Sequence, residues 1–215
     1  MNRKIDVLLV DDHSVVRAGY RLLLSQSRVI GEIFEADGGE SACRIYAENL
    51  PDMVVMDLSM PGIGGLNAIR RICARDPAVR ILVFSIHEEP IYVSKALEAG
   101  AKGYITKRSA PDILVEAVIK IAQGECYFET ALRHSAKLSG VPLQSPSLRV
   151  ENLSDREFDV FLGMARGLTT REIADQLCLS YKTVANYSTA IKYKLKVNTS
   201  AEIAKIAYDL DLLPR

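Results

Sequence analysis

The feature that most constrains the fold is a regular alternation of short apolar runs and amphipathic segments, which continues from residue 5 to residue 124. Short apolar runs between turn residues are typical of buried strands, and apolar residues spaced three and four apart are typical of helices. Strands that alternate with helices form a parallel sheet covered on both faces, and right-handed crossovers make it doubly wound. The predicted strands are 5–10, 31–36, 52–56, 79–85 and 102–106, and the predicted helices are 14–26, 40–50, 65–76, 90–100 and 110–124.

The chain is predicted to contain two domains of different class. Residues 1–125 form the α/β domain, a doubly wound five-stranded parallel sheet with strand order 2-1-3-4-5. Residues 126–150 lose periodicity and gather Ser, Pro and Gly, which is typical of an exposed linker. Residues 151–215 show no strand pattern and are predicted to form a second, smaller all-α domain of short helices.

The charge balance narrows the function classes. The 27 basic and 27 acidic side chains cancel, so any nucleic-acid binding must come from a local patch. No apolar run approaches the roughly 18 residues of a membrane span, and the apolar run near the start is too short for a signal peptide. We therefore expect a cytoplasmic protein without a membrane partner.

The four Cys are widely scattered and are expected to be buried free thiols.

Polar side chains follow four of the predicted strands at the point where each strand ends. Asp11 and Asp12 follow the first strand, Asp57 follows the third, Ser85 ends the fourth and Lys107 follows the fifth. In the predicted strand order these ends are neighbours, and sites of open α/β sheets form beyond the carboxyl ends of the strands. Taken alone, the first two acids could equally cap the following helix. Their joint placement with the other three residues favours a functional site.

This combination of groups indicates phosphoryl chemistry. Three carboxylates in one crevice repel each other unless a cation joins them, and hard oxygen ligands suit Mg²⁺. Lys107 would neutralise phosphoryl oxygens, and the Ser85 hydroxyl would donate a hydrogen bond to them. A carboxylate can also be the nucleophile, which gives an aspartyl phosphate.

Four motifs carry a resemblance to a known family: LLVDDH, VVMDLSMPG, FS at 84–85 and GYITK at 103–107. In this order and spacing they resemble the receiver domain of two-component response regulators, over residues 1–123. The resemblance implies that Asp57 accepts a phosphoryl group from a phosphohistidine on a sensor histidine kinase, and Asp57 is therefore expected to be exposed. It also implies that Asp12, Asp57 and the backbone carbonyl of Ser59 hold Mg²⁺, with Asp11 assisting through water.

The same resemblance assigns the residues of the switch. It implies that Lys107 contacts the phosphoryl group, that Ser85 senses it, and that Tyr104 is the switch aromatic, which turns inward when the hydroxyl engages phosphate. Many receiver domains have Pro after the Lys, often with a cis peptide bond. Arg108 stands there in this chain, so we expect no cis bond.

The segment 169–197 predicts two helices joined by a short turn. Thr170 can cap the first helix and Ser180 the second. No acid occurs in residues 181–198, so positive charge is concentrated on the second helix, as a DNA-facing element requires. The apolar residues predicted to face inward are Ile173, Ala174 and Leu177 on the first helix and Val184, Ile191 and Leu195 on the second.

The strings LSDRE, GLTTREIADQLCLSYKTVANY and KLKV resemble the LuxR-type helix-turn-helix of NarL/FixJ-type regulators. The resemblance implies that Glu157 and Arg171 belong to the scaffold and that the last helix, 201–209, is a dimer contact. Asn186 is the best candidate for a base reader, because its amide can pair with adenine. The complete set of predicted DNA contacts is Lys182 and Thr183 for phosphates, Ala185, Asn186 and Thr189 for the groove, and Lys192 and Lys194 for phosphates. The dimer candidates are Ile203, Ile206 and Ala207.

These predictions favour a transcription regulator, not an enzyme, whose double-stranded DNA binding is controlled by phosphorylation at Asp57. Phosphorylation would act through Ser85 and Tyr104, release the helical domain and favour a homodimer. The strings LLVDDHSVVRAG and DLSMPGIGGL are also similar to the GacA/UvrY-like branch of these regulators. The alternatives are a phosphatase-like hydrolase, a phosphorylation-independent DNA-binding regulator and an RNA-binding protein. The hydrolase is disfavoured because Ser59 stands where that class has an acidic residue, two positions after the nucleophile.

Overall fold

The computed structural model describes residues 3–109, 111–129, 150, 152–210 and 212–213. Two compact units are present, Met1–Ala136 and Lys137–Arg215. Most of the predicted linker lies outside the described residues. Among the described residues, no helix is both long enough and apolar enough to cross a membrane.

The first unit contains a six-stranded sheet in the order β2-β1-β3-β4-β5-β6, with every neighbouring pair parallel. The predicted α/β class and the order of the first five strands are confirmed. Val, Ile, Leu and Met make up most of the central strands, as expected for strands buried on both faces. The strands are β1 (Ile5–Val10), β2 (Ile30–Ala36), β3 (Met53–Met56), β4 (Ile81–Ser85), β5 (Gly103–Thr106) and β6 (Tyr127–Phe128).

The predicted count of five strands is wrong, because Tyr127 and Phe128 form β6. They pair with Gly103 and Tyr104 at the edge of β5 and lie inside the segment assigned to the linker. Two residues are too few for the alternation of period two that marks a strand in a sequence. The aromatic pair, a residue type favoured in strands, was the available signal.

Among the described residues of the first unit, five helices cover the sheet. Helices α1 and α5 pack side by side, and α2, α3 and α4 contact each other in that order. Leu114, Val118 and Ile121 of α5 pack against a core formed by the strands. This core holds the carboxyl ends of the strands in fixed positions. The helices are α1 (Ser14–Ser25), α2 (Gly39–Asn49), α3 (Gly64–Arg75), α4 (Pro90–Ala99) and α5 (Pro111–Ala122).

The second unit is helical, as predicted. Ser154, Thr169 and Thr199 cap three of its helices, each in a capping box with a Glu three residues later. Ser180 caps the helix it was predicted to cap, but the cap of the preceding helix is Thr169 and not Thr170. The helices are α6 (Asp155–Ala165), α7 (Thr170–Gln176), α8 (Tyr181–Leu195) and α9 (Ser200–Asp209).

The last helix buries two of the three residues predicted for a dimer contact. Ile203 and Ala207 are fully buried in the core of the unit, and Ile206 is half-buried. An amphipathic pattern identifies an apolar face but does not say whether the same chain or a second copy covers it. Tyr208, with 67% of its surface exposed, lies on the opposite side of α9.

The four Cys are free, as predicted, but they differ in solvent exposure. Cys43 and Cys73 are half-buried, whereas Cys126 and Cys178 are exposed. The expectation of buried thiols is therefore wrong for the last two. The backbone carries no cis peptide bond among the described residues, in agreement with the expectation for Arg108.

Candidate functional site

The strand ends of the first unit bring three charged side chains together. Nζ of Lys107 lies 2.7 Å from Oδ2 of Asp11 and 2.6 Å from Oδ2 of Asp57. The backbone of Asp57 is fixed by its N–H, which donates to the carbonyl of Val10 in the neighbouring strand. Residues separated by as many as 96 positions in the chain thus meet at one edge of the sheet.

Asp57 is not exposed, contrary to expectation. Only 2% of its surface is accessible to solvent, and the same value holds for Asp11. The Lys107 side chain, itself 12% exposed, reaches back from the end of β5 and pairs with both carboxylates. The Asp57 carboxylate is therefore shielded from solvent and paired with an ammonium group.

Burial sets the electrostatics of this cluster. Burial raises the pKa of Asp57 above its ordinary value, and the opposing effect of Lys107 does not cancel it. Burial also acts to lower the pKa of Lys107, but the two carboxylates outweigh it and hold the pKa above its ordinary value. One ammonium group facing two carboxylates leaves an excess of negative charge, which a cation would relieve.

Among the described residues, Asp11, Asp12 and His13 form a group that could hold a metal ion, with ligand atoms all within 4.8 Å of one another. The backbone N–H of His13 donates to Oδ1 of Asp11 at 2.8 Å, and its Nδ1 lies 2.9 Å from Oδ1 of Asp12. Carboxylate oxygens are the ligands that Mg²⁺ prefers, so the two acids fit this ion. His13 was not among the predicted ligands, because no Cys or other His lies at metal-ligand spacing from it in the sequence.

The loop after Asp57 is built to approach the carboxylate closely. The N–H of Ser59 donates to Oδ1 of Asp57 at 3.2 Å. Helix α3 then returns so close that a Cβ on Gly65 would lie 2.1 Å from the carbonyl oxygen of Asp57. Gly62 and Gly64 have φ of 78° and 71°, a region that favours glycine. The Pro-Gly-rich turn therefore does more than reverse the chain: it also positions the Asp57 carboxylate.

The two predicted switch residues meet at the backbone of His87. The hydroxyl of Tyr104 donates to the carbonyl of His87 at 2.9 Å, and Oγ of Ser85 accepts from its N–H at 3.3 Å. Tyr104 is fully buried, which places its ring inside the unit, and burial raises the pKa of its phenol. Ser85 is fully buried as well.

The second candidate site is the exposed face of α8. Lys182, Asn186 and Thr189 are exposed and share one face, because they are spaced four and three residues apart. The Thr189 hydroxyl donates to the carbonyl of Ala185 at 3.1 Å. Thr183 is half-buried and shares a hydrogen bond of 2.8 Å with the Ser180 hydroxyl. The inward positions Val184, Ile191 and Leu195 are buried as predicted.

Lys194 has a partner inside its own unit. Its Nζ lies 2.6 Å from Oε2 of Glu157, whose side chain is only 7% exposed. Burial raises the pKa of Glu157, but hydrogen bonds from Lys194 and from the backbone and hydroxyl of Ser154 lower it below the ordinary value overall. Glu157 thus sits in the scaffold, and its partner Lys194 is tied to it.

The carboxyl end of α8 carries a basic cleft that no sequence pattern predicts. The cleft has a volume of about 640 Å³ and lies beside the exposed ring of Tyr193, which is 85% exposed. Lys192, predicted to contact DNA, is half-buried here. The lining residues are Lys192, Tyr193, Lys194, Lys196, Val197 and Asn198.

Comparison with known families decides the identity of both units. Residues 7–119 match the response regulator receiver domain, and residues 151–207 match the bacterial regulatory proteins of the luxR family. The chain is a two-component response regulator. Its receiver domain is the first unit, and its LuxR-type helix-turn-helix domain is the second. Proteins of this family are transcription regulators rather than conventional enzymes, and their receiver domains bind Mg²⁺ at the acidic pocket.

Several relatives match this chain over nearly its whole length. The transcriptional activator protein ExaE of Pseudomonas putida is 41% identical over 208 residues, which cover 96% of this chain and 97% of ExaE. The response regulator UvrY of Escherichia coli K12 is 37% identical and covers 94% of this chain and 93% of its own. A structure of RcsB from Salmonella enterica serovar Typhimurium, bound to a promoter with the phosphomimetic BeF₃⁻, has a TM-score of 0.69 at 25% identity and covers 98% of this chain and 100% of its own.

Proposed function

We propose that Asp57 is the phosphoacceptor of this response regulator and that its phosphorylation controls sequence-specific binding of double-stranded DNA through α8. The observation that carries the proposal is the pairing of Lys107 with both Asp57 and Asp11 at the strand ends. A buried carboxylate held next to a cation is prepared to accept a phosphoryl group.

The transfer step uses groups of this chain. One carboxylate oxygen of Asp57 forms a bond to phosphorus while the bond between phosphorus and the imidazole nitrogen of the kinase phosphohistidine breaks. The donor imidazole keeps the electron pair of that bond. Lys107 leaves its direct contact with the carboxylate and neutralises the new phosphoryl oxygens, and Ser85 donates its hydroxyl to one of them.

The Mg²⁺ site would be formed by Asp11, Asp12 and Asp57 with the carbonyl of Ser59. When bound, Mg²⁺ neutralises charge on the transferring phosphoryl group. The two carboxylates that face one ammonium group support this assignment, because they leave negative charge that a divalent cation can balance.

The signal would pass from the receiver domain to the DNA through Ser85 and Tyr104. Phosphorylation adds roughly −1.5 to −2 charges and draws Ser85 away from the N–H of His87. On α8, Lys182, Thr183 and Lys192 would contact phosphates, and Ala185, Asn186 and Thr189 would face the groove. Lys194 takes a lesser part, because Glu157 already holds it.

A homodimer would be favoured by phosphorylation, as paired half-sites on DNA require. We propose that the protein acts in the cytoplasm, where it meets both the histidine kinase and the chromosome. In size-exclusion chromatography, the phosphorylated protein should elute as a dimer, and Asp57→Asn should stay monomeric under the same conditions.

The direct test of the phosphoacceptor is intact mass after incubation with Mg²⁺ and acetyl phosphate. We expect the wild type to gain one phosphoryl group and Asp57→Asn to gain none. Asp37→Asn is the matched control, because Asp37 is exposed and lies at the end of a different strand. Equal uptake by wild type and Asp57→Asn would move the phosphoacceptor to another residue.

A further inference from the structure

His87 makes an unusual number of contacts for a loop residue. It lies two residues after β4, and its side chain is 15% exposed. Its Nε2 shares a hydrogen bond of 2.8 Å with the Ser59 hydroxyl, and its ring stacks on Tyr92 with centroids 3.8 Å apart and planes 5° apart. Neither contact is needed for the loop to connect β4 with α4.

These contacts make a continuous path from the phosphoacceptor to the buried aromatic ring. The N–H of Ser59 donates to Oδ1 of Asp57 at 3.2 Å, and the hydroxyl of the same residue meets the imidazole of His87. The carbonyl of His87 accepts from the hydroxyl of Tyr104 at 2.9 Å. Ser59 is exposed, so its bond to His87 lies at the surface, whereas Ser85 and Tyr104 at the other end of the path are fully buried.

The stack on Tyr92 fixes the plane of the imidazole. Tyr92 lies in the first turns of α4 and is only 4% exposed, so its ring is a rigid support. Nδ1 of His87 also lies 3.7 Å from a carboxylate oxygen of Glu89. With its plane fixed, the imidazole can point Nε2 at the Ser59 hydroxyl without loss of further side-chain freedom.

We propose that His87 is a positioning residue that couples the Ser59 loop to the backbone on which Ser85 and Tyr104 act. The inference rests on the proposed role of Asp57. A phosphoryl group on Asp57 displaces the Ser59 N–H from the carboxylate, and the imidazole transmits this shift to the loop between β4 and α4. The coupling is reciprocal, so the position of this loop also affects how Ser59 supports Asp57.

Two substitutions separate the hydrogen bond from the stack. His87→Phe keeps a flat ring that can stack on Tyr92 but cannot bond to Ser59. His87→Gln keeps a polar group that can bond to Ser59 but loses the ring. Ile86→Ala is the matched control, because the neighbouring Ile86 is 59% exposed and takes no part in the path.

The experiment is amide hydrogen exchange of the full chain, read at residues 86–92 and 103–106, with and without acetyl phosphate in Mg²⁺. Intact mass gives the phosphoryl occupancy, and all variants are compared at equal occupancy. We expect the phosphorylation-dependent change in exchange to fall about fivefold in His87→Phe. This factor corresponds to the loss of one side-chain hydrogen bond. His87→Gln and Ile86→Ala should stay within about twofold of the wild type, which is less than one such bond.

The outcomes separate coupling from simple stability. A residue with a purely structural role would raise exchange equally in both states and leave their difference unchanged, and that result would overturn the proposal. Loss of the difference in His87→Gln as well would also overturn it, because a side chain that keeps the bond to Ser59 would then fail to keep the coupling. A wild type that gains no mass would overturn the proposed function and this inference together, and intact mass detects that case before exchange begins.

Discussion

The acidic site of the receiver domain is assembled from several strand ends and is buried, whereas the basic face of the helix-turn-helix domain lies on one exposed helix. Asp57 keeps only 2% of its surface accessible, and the ammonium group that covers it comes from residue 107. Lys182, Asn186 and Thr189 are all exposed and belong to α8.

This contrast teaches where a substitution should be felt. In the buried site each charge depends on its neighbours, because desolvated groups cost free energy unless they are paired. On the exposed face of α8 each side chain is in contact with water, so its removal should leave the fold unchanged. The following predictions test that difference, from the largest expected effect to the smallest.

Replacing Lys107 should have the largest effect on stability. Lys107→Met leaves Asp11 and Asp57 facing each other without a cation, and breaking a buried pair in this way costs about 3–5 kcal/mol. Urea unfolding of the full chain measures the change. Lys102→Met, at an exposed position before β5, should stay within about 0.5 kcal/mol of the wild type.

The same urea unfolding experiment is repeated in the presence of Mg²⁺. If negative charge causes the loss, millimolar Mg²⁺ should restore more stability to Lys107→Met than to the wild type. A Lys107→Met protein that is as stable as the wild type would contradict the description of the buried site.

Adding one methyl group at Gly65 should disturb Asp57 without changing any charge. A Cβ there would meet the carbonyl oxygen of Asp57 at 2.1 Å and Cα of Leu58 at 2.7 Å, and backbone atoms cannot move aside cheaply. We expect Gly65→Ala to destabilise the protein by about 3 kcal/mol and to slow phosphoryl uptake. Gly19→Ala, at an exposed helical position with nothing within 4 Å, is the control and should stabilise slightly.

Substitutions on α8 should change DNA binding and leave stability alone. Asn186→Ala should cost about 1–3 kcal/mol on the preferred DNA site and much less on random DNA, because it removes a base contact. Lys182→Ala should weaken both kinds of DNA equally and reduce the slope of the salt dependence by about one unit. Fluorescence anisotropy titrations at several salt concentrations distinguish these outcomes. Equal losses on both DNAs for Asn186→Ala would remove it as a base reader.

The Glu157–Lys194 pair should have the smallest effect on the free energy of unfolding, and this effect should depend on pH. The folded pKa of Glu157 is depressed, so its contribution is present above the ordinary carboxyl pKa of about 4.3 and is lost as pH falls through the folded value. We expect less than about 1 kcal/mol, because Lys194 remains 42% exposed and solvent screens the pair. Urea unfolding of wild type and Glu157→Gln between pH 7 and acid conditions measures it, and a difference that does not change with pH would contradict the pairing. Glu116→Gln, in an exposed pair with Lys120, is the control.

The sequence predicted the location of both sites but not the accessibility of the first. The strand ends could be read from apolar runs, and the topology of a parallel sheet brings such ends together. Burial of Asp57 depends on how far the Lys107 side chain reaches back across the sheet edge, which no local pattern records. His87 was missed for a similar reason, because its partners Ser59, Tyr92 and Tyr104 come from three separate segments.

The helical domain was more predictable in its local structure than in its partners. Ser or Thr followed three residues later by Glu gives the capping boxes at Ser154, Thr169 and Thr199. The inward face of α8 follows from helical spacing. Ile203 and Ala207 were assigned to a dimer contact because the pattern shows only an apolar face, whereas the structure buries both within the domain.

The most direct test of the central claim measures DNA affinity as a function of phosphorylation at Asp57. A DNA site is first selected from a random pool with the phosphorylated wild type, and affinity for that site is then titrated with and without acetyl phosphate. We predict that phosphorylated wild type binds at least about tenfold more tightly, a coupling of the size typical of two-state switches, and that Asp57→Asn does not respond. Equal affinity of the phosphorylated and unphosphorylated wild type, at a phosphoryl occupancy verified by intact mass, would contradict the account.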